Sequence, residues 1–300
     1  MLKSLHFLLT YKCLYECDHC FLYCAPHSEG TFTIADIEKA LVQGIEAGIE
    51  SIYLEGGEPF LFYPLMIEAL RIAKQLNLKR GLVTNCYWAT SERDAALWLE
   101  PLVQIGLDDL SVSDDVFHSE DIEHSPAKIA LASACRLGLP AESITIEEPI
   151  IKQTGRFIKG KPVVGGDVLF KGRAVEKLTD NLPRRRFDCF TECSHEDLKN
   201  PQRVHLDPFG NIFICQGLSI GNIWKKPLAQ VMHDYQPLNH PIIGALLQGG
   251  PAELVRRFGL PEGDVYISDC HLCYLIRRNL IDQFPEYLCP RQVYGLEDKS

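Results

Sequence analysis

Along the first half of the chain, apolar runs of strand length alternate with apolar residues at helical spacing. Residues 4–10, Ser-Leu-His-Phe-Leu-Leu-Thr, read as a buried strand. Thr33-Ile-Ala-Asp36 is a capping-box pattern, and Ile34, Ile37, Leu41 and Ile45 follow at helical spacing until Gly48. A strand at 51–55, a helix with Leu65, Ala69, Ile72 and Leu76 on one face, and a strand at 81–85 come next. Ser91 caps a third helix that stops at Gly106, and residues 109–113 form a fourth strand. Ser125-Pro126 opens a helix closed by Gly138, and residues 143–147 form a fifth strand.

Such alternation predicts right-handed crossovers and a parallel sheet, whose chemistry gathers at the C-terminal ends of the strands. The loop after residue 10, Gly56-Gly57, Thr84-Asn85, Ser113–Asp115 and Glu147 all fall at such ends. Beyond residue 150 the pattern changes. Residues 150–200 are loop-rich, and 204–214 read as a hairpin around Asp-Pro-Phe-Gly-Asn. Residues 225–265 look helical and polar, and Cys270-His-Leu-Cys273 leads into a helix over 274–283.

Composition narrows the function. The 300 residues carry a formal net charge of −10, and Arg184-Arg185-Arg186 is the only basic run, which argues against nucleic acid as a partner. No apolar run is long enough to span a membrane, and the N-terminus lacks signal-peptide anatomy. Twelve cysteines without a secretory signal point to metal or redox chemistry in a reducing compartment, hence the cytoplasm. Cys24 and Cys135 are expected in the core.

Three of the cysteines, Cys13, Cys17 and Cys20, lie within eight residues at spacings of four and three. A thiolate triad suits an iron–sulfur cluster with one iron left open for a chelating small molecule. Three buried thiols on one helical face, or a structural zinc, are the alternatives.

Cys-x3-Cys-x2-Cys after a first strand, with Gly56-Gly57-Glu58-Pro59 closing the next strand, resembles the radical S-adenosylmethionine (SAM) superfamily. His19 stands where an aromatic residue usually precedes the third cysteine. The resemblance implies an α/β fold: a partial TIM-like (β/α)6 barrel over residues 1–180, with a sixth strand near Val168–Phe170. It implies a [4Fe-4S] cluster on the triad, SAM as cofactor and a flavodoxin- or ferredoxin-type electron donor. SAM contacts would come from Gly56, Gly57, Glu58, Pro59, Thr84, Asn85, Ser113 and Asp115. Arg173, in Gly172-Arg173-Ala174, would pair with the SAM carboxylate or else lie at the surface. His118 is a pocket residue or a solvated loop histidine. Cys86, where relatives often carry Gly, is a radical-transfer thiol or a small buried residue.

Residues 181–300 resemble the auxiliary-cluster extension called Twitch in its short form and SPASM in its long form. Cys215, Cys270 and Cys273 would hold a second [4Fe-4S] cluster with Cys193, or with Cys189 or Cys289 in its place. Asn279 stands where the long form has a further cysteine, so one auxiliary cluster is expected. A four-cysteine zinc site is the alternative. The implied activity is reductive cleavage of SAM to a 5′-deoxyadenosyl radical. That radical would abstract hydrogen from a small molecule, in an oxidation with the auxiliary cluster taking an electron. A peptide-modifying maturase forming thioether or carbon–carbon crosslinks is the second reading. Such enzymes often carry a peptide-binding domain before the barrel, whereas the first strand here starts almost at Met1. A non-catalytic iron–sulfur electron carrier is the third.

Overall fold

The computed structural model describes residues 2–152, 163–259 and 263–297. Five strands lie in the first half: β1 (Ser4–Thr10), β2 (Ser51–Gly56), β3 (Lys79–Thr84), β4 (Asp109–Ser113) and β5 (Ala141–Ile144). Between them run α1 (Ile34–Glu46), α2 (Tyr63–Gln75), α3 (Glu92–Ile105) and α4 (Pro126–Leu137). The helix boundaries are written in the sequence. Thr33 and Asp36 close a reciprocal capping box, and Ser91 and Ser125 each accept a bond from the backbone of the first turn. Gly106 and Gly138 end α3 and α4 in the left-handed region, with φ of 77° and 67°.

The second half contributes β6 (Ile150–Lys152), β7 (Val163–Gly165), α5 (Ala174–Lys177), β8 (Arg185–Arg186), β9 (Arg203–Leu206), β10 (Asn211–Cys215) and β11 (Leu218–Asn222). It ends with α6 (Leu228–Asp234), α7 (Ile243–Phe258), β12 (Val265–Tyr266) and α8 (Asp269–Leu280). One eight-stranded sheet runs in the order β11-β10-β9-β1-β2-β3-β4-β5. Neighbours from β9 to β5 are parallel, and β10 is antiparallel to β9 and β11. The result is an α/β partial barrel extended by a C-terminal antiparallel hairpin. The sheet crosses residue 180 without a break, because β9 pairs directly with β1.

Strand alternation sorts side chains to the two faces. On β1, Leu5, Phe7 and Leu9 are fully buried in the main core beneath α1–α4 and α6. His6, Leu8 and Thr10 take the other, concave face. Leu8 on that face lines a cavity. A second core lies among α7, α8 and β11, and a small third one sits under the cysteine loop: Leu8, Tyr11, Cys13, Leu22, Cys24, Phe213 and Val293.

Several expectations are corrected. Val168–Phe170 is not a strand. Its apolar side chains line cavities, and β9 takes the sixth parallel position, on the far side of β1. The fifth strand starts two residues earlier than expected and ends before Glu147. On α2 the buried stripe is Met66, Ala69, Leu70 and Ala73, while Leu65, Ile72 and Leu76 flank it half-buried; the segment is apolar over so wide an arc that packing chooses the face. α7 is largely buried rather than polar. Cys24 is in the core as expected, but Cys135 is exposed on α4, pointing away from the Ala127–Ala130–Ala134 stripe. Among the described residues, no helix is long and apolar enough to cross a membrane.

Candidate active site

The loop from β1 to α1 carries Cys13, Cys17 and Cys20, and all three line one cavity of about 330 Å³ at the C-terminal ends of the parallel strands. Local bonds shape the loop: Cys13 N donates to Ala25 O at 3.2 Å and Cys20 N to Cys17 O at 3.0 Å. Cys13 Sγ accepts from Asn85 Nδ2 at 3.5 Å and from Tyr15 N at 3.4 Å. Burial pushes the Cys13 thiol up to about 11 and the Cys17 thiol up to about 12. Without metal these two thiols hold their protons, so metal uptake must release them. A bond from Cys24 pulls Cys20 down to about 6.

Gly56 and Gly57 end β2 and line the cavity. Their lack of a Cβ is required first by the protein itself. A Cβ on Gly57 would lie 2.0 Å from Lys12 O, and one on Gly56, at φ 121°, 2.6 Å from Thr10 O. This crossing, tied by Gly57 N to Thr10 O at 2.7 Å and Glu58 N to Lys12 O at 2.8 Å, sets the strand end beside the cysteine loop.

Glu58 is fully buried and is not among the residues that line the cavity. Its carboxylate accepts from Asn85 N at 2.8 Å, Thr84 Oγ1 at 2.9 Å and Phe60 N at 3.0 Å, and burial still pushes its pKa up to about 7. Glu58 therefore braces the ends of β2 and β3, and buried Pro59 opens the turn that follows. Thr84 and Asn85, held by that brace, do line the cavity. Ser113, Asp115 and His118 line it as well. Asp115 is 3 % exposed; it accepts from Ile146 N at 3.2 Å and lies 2.8 Å from His118 Nδ1. His19 packs on Phe117 and against His118, and its Nδ1 is buried without a partner.

Cys86 takes the buried alternative, and Arg173 takes neither of its two expected places. Cys86 is fully buried in the main core at φ 60°, the region that favours glycine, and its thiol is absent from the cavity wall. Arg173 neither faces the cavity nor lies at the surface. Its guanidinium donates to Cys17 O and Cys24 O, each at 2.8 Å, and its backbone N donates to Cys20 O at 3.0 Å. Gly172 makes room for this clamp, since a Cβ there would lie 2.4 Å from Cys20 O.

In the C-terminal half, Cys193, Cys215, Cys270 and Cys273 line a single small cavity. Cys215 ends β10, and Cys270 and Cys273 sit in the first turns of α8, whose N-terminus favours negative charge. The loop before Cys193 is held by a kink in α7. A Cβ on Gly250 would lie 2.3 Å from Glu192 N, and Ala252 N donates to Phe190 O at 2.9 Å. Cys189 is exposed and Cys289 packs beside Val293 and Cys24, so neither joins the set.

The same cavity contains two cations that sequence reading missed. Lys171 is 4 % exposed and Arg277 is 2 % exposed. Lys171 Nζ donates to Cys215 Sγ at 3.6 Å and to Gln216 Oε1 at 3.2 Å. Arg277 Nη1 donates to Gln216 O at 3.2 Å, and its Nε is buried without a partner. A burial this complete strongly disfavours uncompensated charge, so an anionic group among the four sulfurs fits the donor set. Gln216 continues to His205 at 3.4 Å, and His205 Nδ1 lies 2.6 Å from Glu55 Oε1 on the wall of the first cavity. His6 adds a second imidazole to Glu55 at 3.3 Å. Burial opposes the charge on Glu55, but the two histidines hold its carboxyl well below the usual range. Short-range sequence carried no signal for this network, because its members come from β1, β2, β9, α8 and two loops.

The family profile of the radical SAM superfamily matches residues 7–147. The chain is 24 % identical over 184 residues to a protein of Bacillus subtilis (strain 168) described as a peptide biosynthesis protein, YydG, covering 59 % of this chain and 58 % of that one. The chain thus spans little more than half the length of this relative. It is 35 % identical over 74 residues to the S-adenosylmethionine-dependent nucleotide dehydratase of Thermoplasmatales archaeon (strain ISO4-H5), covering 25 % of this chain and 26 % of that one. Among solved structures, BtrN in complex with AdoMet and 2-DOIA aligns at a TM-score of 0.49 and 13 % identity, covering 78 % of this chain and 83 % of that one. The matched stretch, just under half of the chain, holds both the cysteine triad and the Gly-Gly-Glu-Pro strand end, and over residues 7–147 the chain is similar to the radical SAM superfamily.

Proposed function

We propose that the protein is a radical SAM enzyme that oxidises a small polar molecule and holds a second, four-cysteine cluster as electron acceptor. The observation that carries this reading is the gathering of Cys193, Cys215, Cys270 and Cys273 around one cavity with two buried cations, beside the segment that walls the SAM pocket. When bound, the triad cluster and SAM would supply a 5′-deoxyadenosyl radical, and the second cluster a one-electron acceptor. The residues of this chain do the rest. Cys13, Cys17 and Cys20 hold the first metal centre, and the apolar wall of Leu8, Phe21, Val83, Ile146 and Val168 keeps water from it. Asp115 orients His118, which we assign as the base. With both groups bound, His118 would take the proton that the substrate loses as a hydrogen atom leaves to the radical and an electron to the second cluster, which balances a two-electron oxidation.

A peptide substrate is the second reading. It is favoured by the similarity to the Bacillus protein described as a peptide biosynthesis protein. The test is anaerobic. The protein is reconstituted with iron and sulfide, reduced and mixed with SAM, and 5′-deoxyadenosine is quantified by mass spectrometry beside a Cys17→Ala control. Product from the wild type alone is expected. No product together with no SAM binding by calorimetry would overturn the proposal in favour of an electron carrier.

A further inference from the structure

Four thiolates around an iron–sulfur core are net negative before reduction, and one added electron increases that charge. In a buried site each such charge is costly unless positive charge is fixed beside it. The four-cysteine cavity has two positive charges built into its wall. Lys171 reaches it from the segment just after Val168-Leu-Phe170, with its ammonium 3.6 Å from Cys215 Sγ. Arg277 reaches it from α8, one turn beyond Cys273, and its Nε finds no partner among the described residues. Among the described residues, no carboxylate forms an ion pair with either. Glu196 and Asp269 also line the cavity, but Glu196 is paired with Arg203 at 3.3 Å and Asp269 lies 3.7 Å from His195. The ordinary means of keeping a buried cation, a carboxylate partner, is therefore absent from both. Their other neighbours are neutral, namely Gln216 and the ring faces of Phe21 and Tyr294, so the group within reach that can carry negative charge is sulfur.

We infer that Lys171 and Arg277 are the fixed counter-cations of the auxiliary cluster and raise its reduction potential, which fits it to receive an electron. The inference rests on the reading of Cys193, Cys215, Cys270 and Cys273 as ligands of a redox-active cluster. The couple is a single one-electron step: the oxidised cluster takes one electron, supplied in the assay by dithionite, and no bond to the protein forms or breaks. Net charge and hydrogen bonds to sulfur are the levers that set such potentials, and Lys171 supplies both. Two roles are thereby separated. The cysteines decide whether a cluster is present, and the cations decide how readily it is reduced. Lys171 and Arg277 are positioning residues in this scheme, since they act through the cluster.

The test uses the full chain with Cys13, Cys17 and Cys20 all replaced by Ala, so that any remaining cluster is the auxiliary one. Iron and zinc are counted, and the midpoint is measured by EPR-monitored redox titration. In that background Lys171→Gln and Arg277→Gln are each expected to lower the reduction equilibrium at least about tenfold, a fall of about 59 mV for one electron. Lys171→Arg, which keeps the charge, should restore most of it. A neutral variant that keeps its iron and the parent midpoint overturns the inference. Loss of iron in the neutral variants with retention in Lys171→Arg supports it, and loss in all three overturns it, because charge is then not what these positions supply. A parent protein that holds zinc, or no metal, overturns the two-cluster reading itself and this inference with it.

Discussion

Replacing Arg173 by Met should empty the triad site while leaving the second metal site filled. Arg173 is 6 % exposed, and its guanidinium makes two charge-assisted bonds of 2.8 Å to Cys17 O and Cys24 O, bracketing Cys20. Bonds to a charged donor contribute about 1.5–3 kcal/mol each, so the pair holds the loop closed by about 3–6 kcal/mol. At about 1.4 kcal/mol per tenfold, that is a shift of about a hundredfold to ten-thousandfold toward an open loop. The figure is an upper range, since an open loop lets water reach the freed carbonyls. Met keeps much of the packing over Tyr23, where the guanidinium now sits 5.0 Å from the ring centroid, so the change isolates the bonds. Lys should rescue only in part, because an ammonium lacks the planar fork that reaches both carbonyls at once. The assay is iron per chain after anaerobic reconstitution, paired with SAM affinity by calorimetry. Loss of about half the iron, with SAM binding falling alongside it, is the expected result. An Arg173→Met protein with full iron and weakened SAM binding would refute the reasoning, for it would mean that the guanidinium serves the SAM carboxylate directly.

Two other outcomes follow from the geometry. Cys193→Ser should remove the second metal centre, whereas Cys189→Ser and Cys289→Ser should leave its iron at the wild-type level; iron loss in either of the latter pair would contradict the four-cysteine cavity. Glu58 should show an inverted pH dependence. Burial raises its pKa from the ordinary 4.5 of a glutamate carboxyl to about 7, so between these values the native state keeps a proton that the unfolded chain has lost. Its share of stability is therefore greatest at low pH and falls as pH rises through that window, by about 3 kcal/mol in all. Glu58→Gln removes this share and adds a pH-independent cost of about 1–3 kcal/mol, because its amide must face Asn85 N–H. Urea unfolding of the iron-free chain at about pH 4.5 and about pH 8 should show the variant's deficit shrinking with pH; a constant deficit would count against the argument.

The repeat from β1 to α4 was legible because every element carries its own local instructions: the capping pairs at Thr33 and Ser91, Pro126 at a first turn, Gly106 and Gly138 at helix ends. The triad was legible for the same reason, since its ligands lie within eight residues. Legibility stopped where meaning depends on distant neighbours. Val168-Leu-Phe170 has strand composition, but its apolar side chains are used as cavity wall. Arg173 looked like a ligand for a carboxylate, and only the fold shows that carbonyls of the cysteine loop take both ends of its guanidinium. For Cys86 the sequence left a pocket thiol and a small buried residue both open, and only the fold places it in the core, at a positive φ. Lys171 and Arg277 were invisible because a buried cation and a surface cation are spelled alike; what distinguishes them is the gathering of four sulfurs from three separate segments.

The place of β1 in the sheet has a consequence for how the protein is made. This strand leaves the ribosome before its partners, with the cysteine loop just behind it, yet one of its edges stays bare until β9 has been synthesised. The loop likewise waits for Arg173. A nascent chain therefore exposes three neighbouring thiols and an open strand edge while all the residues between are made, a state prone to oxidation and mispairing. Iron delivered to the emerging chain would meet a loop with neither clamp nor neighbour. The cysteine loop therefore reaches its final shape only after Arg173 has been made and β9 has docked on β1.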